Sequence, residues 1–187
     1  MRILMLLILL TPLSSSAASK VVLFGGVQST RAKMAACFPD ITVYDLAEGP
    51  SKVEALAKKI DADPEGGWVI AGHSSGAAVA ENVARKVKNH SRMHLVLLDG
   101  YGHEGIQAKV RTTCWYASNG RAESLNAGAM KNTCLPQSAK RRHLAVSSTS
   151  SMSLHYSLVN LNVPSSIPGP HGGYWNNCRP NTSWIEP

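Results

Sequence analysis

The chain has 187 residues, with 19 Lys and Arg against 12 Asp and Glu and a net charge of +7. That length suits one compact domain without extra modules, and after the first few residues no run is apolar over the roughly 20 residues needed to span a bilayer. The basic excess sits in short clusters, Arg85-Lys86-Val87-Lys88 and Lys140-Arg141-Arg142, which read as a helix end and a basic flank before a strand. Neither a nucleic-acid partner nor stable membrane insertion is expected from such ordinary solvated positions.

Met1-Arg2, the apolar stretch 3–10, Pro12 and the small residues Ser14, Ser15, Ser16, Ala17 and Ala18 form a secretory signal-peptide pattern over 1–18. Residues 19–187 are then a single exported domain, secreted or periplasmic. Its four cysteines, Cys37, Cys114, Cys134 and Cys178, are an even number in a compartment where disulfides persist. Cys114 and Cys134 bracket one segment and are favoured as a pair, leaving Cys37 with Cys178, although spacing does not fix connectivity. No Cys-x-x-Cys pair points to zinc or redox chemistry, and neither a metal nor a cofactor is expected.

Apolar, β-branched runs at 21–24, 41–44, 68–71, 94–98, 112–117 and 143–146 read as strands. Between them, 51–60 has a helical period, with Val53, Leu56 and Ile60 on one face and Ser51 and Glu54 spaced as a capping box. Residues 77–87 repeat the pattern through Val79, Ala80, Val83, Ala84 and Val87. Strands alternating with helices imply an α/β fold with a minimal, mostly parallel sheet of about six strands covered on both faces. The tail from about 164, rich in Pro, Gly and Asn, reads as extended. Trp115, Tyr116, Tyr174 and Trp175 are assigned to core and tail packing rather than to a carbohydrate or peptide surface.

Gly72-His73-Ser74-Ser75-Gly76 follows a strand and opens an alanine-rich helix, the context a nucleophile elbow requires. There a serine sits on a sharp turn at the carboxyl edge of the sheet, and small neighbours let helix and strand approach. Ser74 is the candidate nucleophile. The Ser75 N–H, at a helix N-terminus, is a candidate oxyanion donor, and the glycine loop Gly25-Gly26-Val27 supplies the second from Gly26 or Val27.

Asp99 ends the run His94-Leu95-Val96-Leu97-Leu98 and should emerge beside Ser74 on the neighbouring strand, which makes it the candidate acid; Glu123 is the alternative, and Glu81 reads as a solvated helix residue. The chain order serine, acid, histidine selects a late base. His155, just past the last strand, fits, with His171 in Pro170-His171-Gly172-Gly173 as the alternative. His73 should point away from Ser74, and His90, His94, His103 and His143 read as surface or strand-flank positions.

Ala71-Gly72-His73-Ser74-Ser75-Gly76-Ala77-Ala78 together with Leu97-Leu98-Asp99-Gly100-Tyr101 resembles the α/β-hydrolase superfamily, and is most similar to its thioesterase and esterase-like branch. The resemblance covers about 21–158. It implies a three-layer α/β-hydrolase-like fold, an acid directly after the strand that follows the elbow, as Asp99 is, and a late histidine corresponding to His155. Ser153-Leu154 stand before His155 where that branch commonly has Gly-Asp, and no lid segment is evident. The expected function is an exported, monomeric serine hydrolase that cleaves a small ester or thioester through Ser74, Asp99 and His155. Its rival is a non-catalytic binding or structural protein on the same scaffold.

Overall fold

The computed structural model describes residues 20–27, 29, 31–100, 109–118, 121, 123, 124, 126 and 139–145; for the last segment only the side chain of Arg142 is described. The signal-peptide pattern, Cys134, Cys178, His155, His171 and the extended tail lie outside these residues. The elements in order are β1 (Val21–Phe24), α1 (Arg31–Cys37), β2 (Thr42–Tyr44), α2 (Gly49–Ala62), β3 (Trp68–His73), α3 (Gly76–Lys86), β4 (Met93–Leu98), β5 (Thr112–Ser118) and β6 (Ala139–Ala145). A short 3-10 turn, His90–Arg92, leads into β4.

The strands form one six-stranded sheet in the order β2-β1-β3-β4-β5-β6, and every neighbouring pair is parallel. This is an α/β fold. The order doubles back at β1, so the loops after β1 and β3 leave the sheet in opposite directions and open a crevice between them. Such a switch point is where open α/β sheets place their ligands.

Strands β1, β3 and β4 are almost continuously apolar because both faces are covered. On one face Val22, Phe24, Ile70, Leu95, Leu97 and Cys114 pack with Val53, Leu56 and Ile60 of α2 and Val79, Ala80, Val83 and Ala84 of α3. On the other face Leu23, Val43, Ala71, Val96 and Leu98 pack with Met34 and Cys37 of α1 and with Phe38. Cys37 and Cys114 are both fully buried, and neither is a free thiol. They belong to opposite faces of the sheet and so do not pair with each other.

Several boundaries differ from the sequence expectation. Helix α2 begins at Gly49, ahead of Ser51, with Pro50 in its first turn, where the fixed proline φ suits a helix start. The expected capping box is therefore not formed. The Ser51 hydroxyl donates back to the Glu48 carbonyl at 2.8 Å, and Asp45 Oδ1 accepts the N–H groups of Ala47 and Glu48 at 3.0 and 2.9 Å. Strand β6 starts at Ala139 rather than 143, so Lys140-Arg141-Arg142 lies inside a strand instead of flanking it. An edge strand needs only one partner ladder and tolerates such residues, and the Arg142 guanidinium covers the Trp115 ring at 5.4 Å. Helix α1 has only seven residues, too few to show a helical period in the sequence.

A polar clasp closes the amino edge of the sheet. Lys20 Nζ sits 2.9 Å from Asp63 Oδ2, and the Trp68 indole N–H donates to the same oxygen at 2.8 Å. The Lys20 ammonium holds the Asp63 carboxyl below its ordinary 3.8, at about 2. A carboxyl depressed in the folded state adds stability that is present above its unfolded pKa and lost as pH falls through the folded one. Asp63→Asn should therefore melt below the parent near neutral pH. The difference should shrink between pH 3.8 and about 2 and vanish below that, which thermal melts across this range would follow.

Candidate active site

The turn between β3 and α3 carries Ser74, the first candidate residue. Strand β3 ends at His73 and α3 begins at Gly76, so the chain reverses within two residues, and Ser74 takes φ +54°. A residue with a Cβ enters this left-handed region at a cost of about 1–3 kcal/mol. Ser74 is held there from both sides: its N–H donates to the Leu98 carbonyl at 3.1 Å, and its carbonyl accepts the Ala77 N–H at 3.1 Å. The motif glycines make the approach possible. A Cβ at Gly76 would lie 2.3 Å from the Phe24 carbonyl oxygen, and one at Gly72 would lie 2.4 Å from the Gly76 carbonyl oxygen.

The loop after β1 closes the other side of Ser74. A Cβ at Gly26 would stand 2.6 Å from Ser74 Cβ and 3.1 Å from its Oγ, so the bare backbone of Gly26 lies against the hydroxyl. The Val27 N–H donates to Ser75 Oγ at 3.2 Å and ties this loop to the start of α3. That bond occupies one of the two loop donors expected from the sequence. Among the described residues, neither the Gly26 nor the Ser75 N–H has a hydrogen-bond partner. Ser74 and Ser75 are half-buried, whereas the neighbouring Val27 is 58% exposed, the only large apolar side chain so exposed among the described residues.

Asp99 stands on the strand beside the serine. Leu98 pairs in register with His73, so Asp99 and Ser74 leave adjacent strands at the same level of the carboxyl edge. Asp99 is also left-handed, with φ +48°, and fully buried. A buried carboxylate is costly unless hydrogen-bonded, and here the Ser124 hydroxyl donates to its Oδ1. The Asp99 N–H donates to the Trp115 carbonyl at 2.8 Å, and Asn126 Nδ2 donates to the Asp99 carbonyl at 2.7 Å. The next residue also touches the elbow, since a Cβ at Gly100 would lie 3.2 Å from the Ser74 carbonyl oxygen.

The alternative acid, Glu123, forms an antiparallel bridge with Ser118 and is exposed. Glu81, expected to be solvated, is instead fully buried within α3; it lies one turn beyond Ala77, on the stripe that faces the sheet. His94, a strand-flank residue by sequence, is also buried, with Nε2 2.9 Å from Thr113 Oγ1. His90 Nε2 lies 3.0 Å from the Ala84 carbonyl oxygen. Both flank the start of β4, at the edge opposite Ser74. His73 is buried, and strand alternation directs it to the α1 side with Ala71. The candidate bases His155 and His171 lie outside the described residues.

No sequence pattern marks Ser124 and Asn126. They follow β5 in an aperiodic stretch, and only the chain's reversal after Ser118 brings them onto Asp99. A separate cavity of about 740 Å³ opens at the amino edge between Val21, Trp68, Arg92, Met93 and Arg111. It lies across the sheet from Ser74, away from the edge where parallel α/β sheets carry their chemistry. Among the described residues no cluster of His, Cys, Asp and Glu could hold a metal ion, and no helix is long and apolar enough to cross a membrane.

In comparisons with known proteins, the chain matches no protein-family model, no curated protein and no solved structure. The elbow geometry makes its own demands on variants. Gly76→Ala should lower stability by at least about 1–3 kcal/mol, because its methyl meets backbone rather than a movable side chain. Gly26→Ala, pressing on Ser74 itself, should leave the sheet folded and slow any reaction of the serine. Chemical denaturation and the rate of serine labelling distinguish the two effects.

Proposed function

We propose that this chain is an exported serine hydrolase of the α/β-hydrolase type, acting on a carboxylic ester or thioester. The observation that carries the proposal is Ser74, left-handed between a parallel strand and a helix at the switch point of the sheet. A turn strained in this way projects a serine hydroxyl from the sheet edge. The adjoining Asp99 and the N–H groups of Gly26 and Ser75, which no described residue engages, support the same chemistry.

In the proposed reaction His155 removes the proton from Ser74 Oγ as the oxygen attacks the carbonyl carbon, while Asp99 accepts a hydrogen bond from the imidazole. The oxyanion is met by the Ser75 and Gly26 N–H groups. Collapse of the tetrahedral adduct returns that proton to the departing alcohol or thiol and leaves an acyl-serine. Water, deprotonated by the same histidine, releases the acid and restores the serine. A half-buried serine beside exposed Val27 suits small or extended substrates and needs no lid. The enzyme acts as a monomer in a secreted or periplasmic setting, with its cysteines oxidised.

The test is labelling of the purified, oxidised protein with a fluorophosphonate probe. The parent should label. Ser74→Ala should abolish labelling, and His155→Ala should slow it by at least about a hundredfold, the scale of a lost general base. A folded parent that does not label supports the non-catalytic scaffold instead.

A further inference from the structure

By sequence the stretch after β5 offers only an alternative acid, Glu123, yet its neighbours are what the structure engages. Past Ser118 the chain turns back, and the Ser124 N–H donates to the Ala117 carbonyl at 2.9 Å. This reversal leaves Glu123 facing solvent and carries Ser124 and Asn126 inward, where they are 6% and 3% exposed. Both meet the same residue: the Ser124 hydroxyl donates to Asp99 Oδ1, and Asn126 Nδ2 donates to the Asp99 carbonyl.

We propose that Ser124, supported by Asn126, is the positioning residue for the Asp99 carboxylate, fixing its plane beside Ser74 so that it can orient the catalytic imidazole. The proposal rests on the assignment of Asp99 as the triad acid. The two contacts restrain different freedoms. Asn126, together with the bond from the Asp99 N–H to the Trp115 carbonyl, fixes the left-handed backbone and hence the direction of the Cα–Cβ bond. Ser124 then fixes rotation of the carboxylate about that bond through a charge-assisted hydrogen bond, the stronger kind. Asp99 has no solvent exposure, so a protein hydroxyl does here what water does for an exposed carboxylate. Misplacing such a group by about 1 Å can cost on the order of a hundredfold in rate.

The experiment compares parent, Ser124→Ala, Ser124→Cys and Ser124→Thr for kcat and KM on p-nitrophenyl acetate and for the rate of fluorophosphonate labelling. Melting temperature and near-ultraviolet circular dichroism are measured alongside. Ser124→Cys, similar in size but a weak donor, and Ser124→Ala should lose about 10- to 100-fold in kcat and in labelling rate, with KM little changed. Ser124→Thr, which keeps the hydroxyl, should retain most of the parent's kcat. Unaltered kcat in folded Ser124→Cys overturns the proposal, as does a Ser124→Cys chain that fails to fold, since the hydroxyl then serves stability alone. A folded parent that neither labels nor hydrolyses removes the hydrolase assignment itself, an outcome distinct from a working parent indifferent to Ser124.

Discussion

The close approach of α3 to the end of β1 governs the rest of the architecture. At Gly76 the backbone of the helix's first residue runs so near the Phe24 and Gly25 carbonyl oxygens that a Cβ would stand 2.3 and 2.7 Å from them. With no slack between β3 and α3, the connection must be made in two residues, and Ser74 must be left-handed to make it. The same compression brings the loop after β1 against Ser74, so Ser74 and the N–H groups of Gly26 and Ser75 are gathered by one packing contact.

Strain at the carboxyl edge is doubled, because Ser74 and Asp99 are both left-handed on adjacent strands. Each costs about 1–3 kcal/mol, and each persists because its surroundings over-determine it. Beneath them lie Leu95 and Leu97 on one face and Val96 and Leu98 on the other, all fully buried; burial of such a side chain contributes about 1.5–3 kcal/mol. The two-sided core thus offsets the strain at its rim. The Lys20–Asp63–Trp68 clasp fastens the opposite edge, so the tight polar geometry lies at the two ends of an apolar sheet.

Much of the fold was legible as pattern. Val21–Phe24, Thr42–Tyr44, Met93–Leu98 and Thr112–Ser118 are apolar runs bounded by turn residues, and the α2 and α3 stripes have a clear helical period because one face of each meets the sheet. What escaped the pattern did so for local reasons. Helix α1 is too short to display a period, β6 begins in basic residues that an edge strand can carry, and α2 starts ahead of Ser51 because Pro50 admits an earlier start, with Asp45 bracing the turn before it. Glu81 and His94 look like surface residues by type, but they sit at positions whose burial is decided by neighbouring elements.

The candidate site divides along the same line. The amino-acid sequence by itself determined what is contiguous: a serine between glycines, a strand before it, a helix after it and an aspartate at the end of the next apolar run. These follow from steric rules acting over a few residues. Only the tertiary structure decided that β3 and β4 lie side by side with His73 level with Leu98, that Gly26 closes on the Ser74 hydroxyl, and that Ser124 and Asn126 reach Asp99. Those contacts join residues 25 to 48 positions apart, and nothing in the local pattern encodes them. Strand order and the reversal after β5 bring them together, because both faces of the sheet must be covered and the buried carboxylate must find a donor.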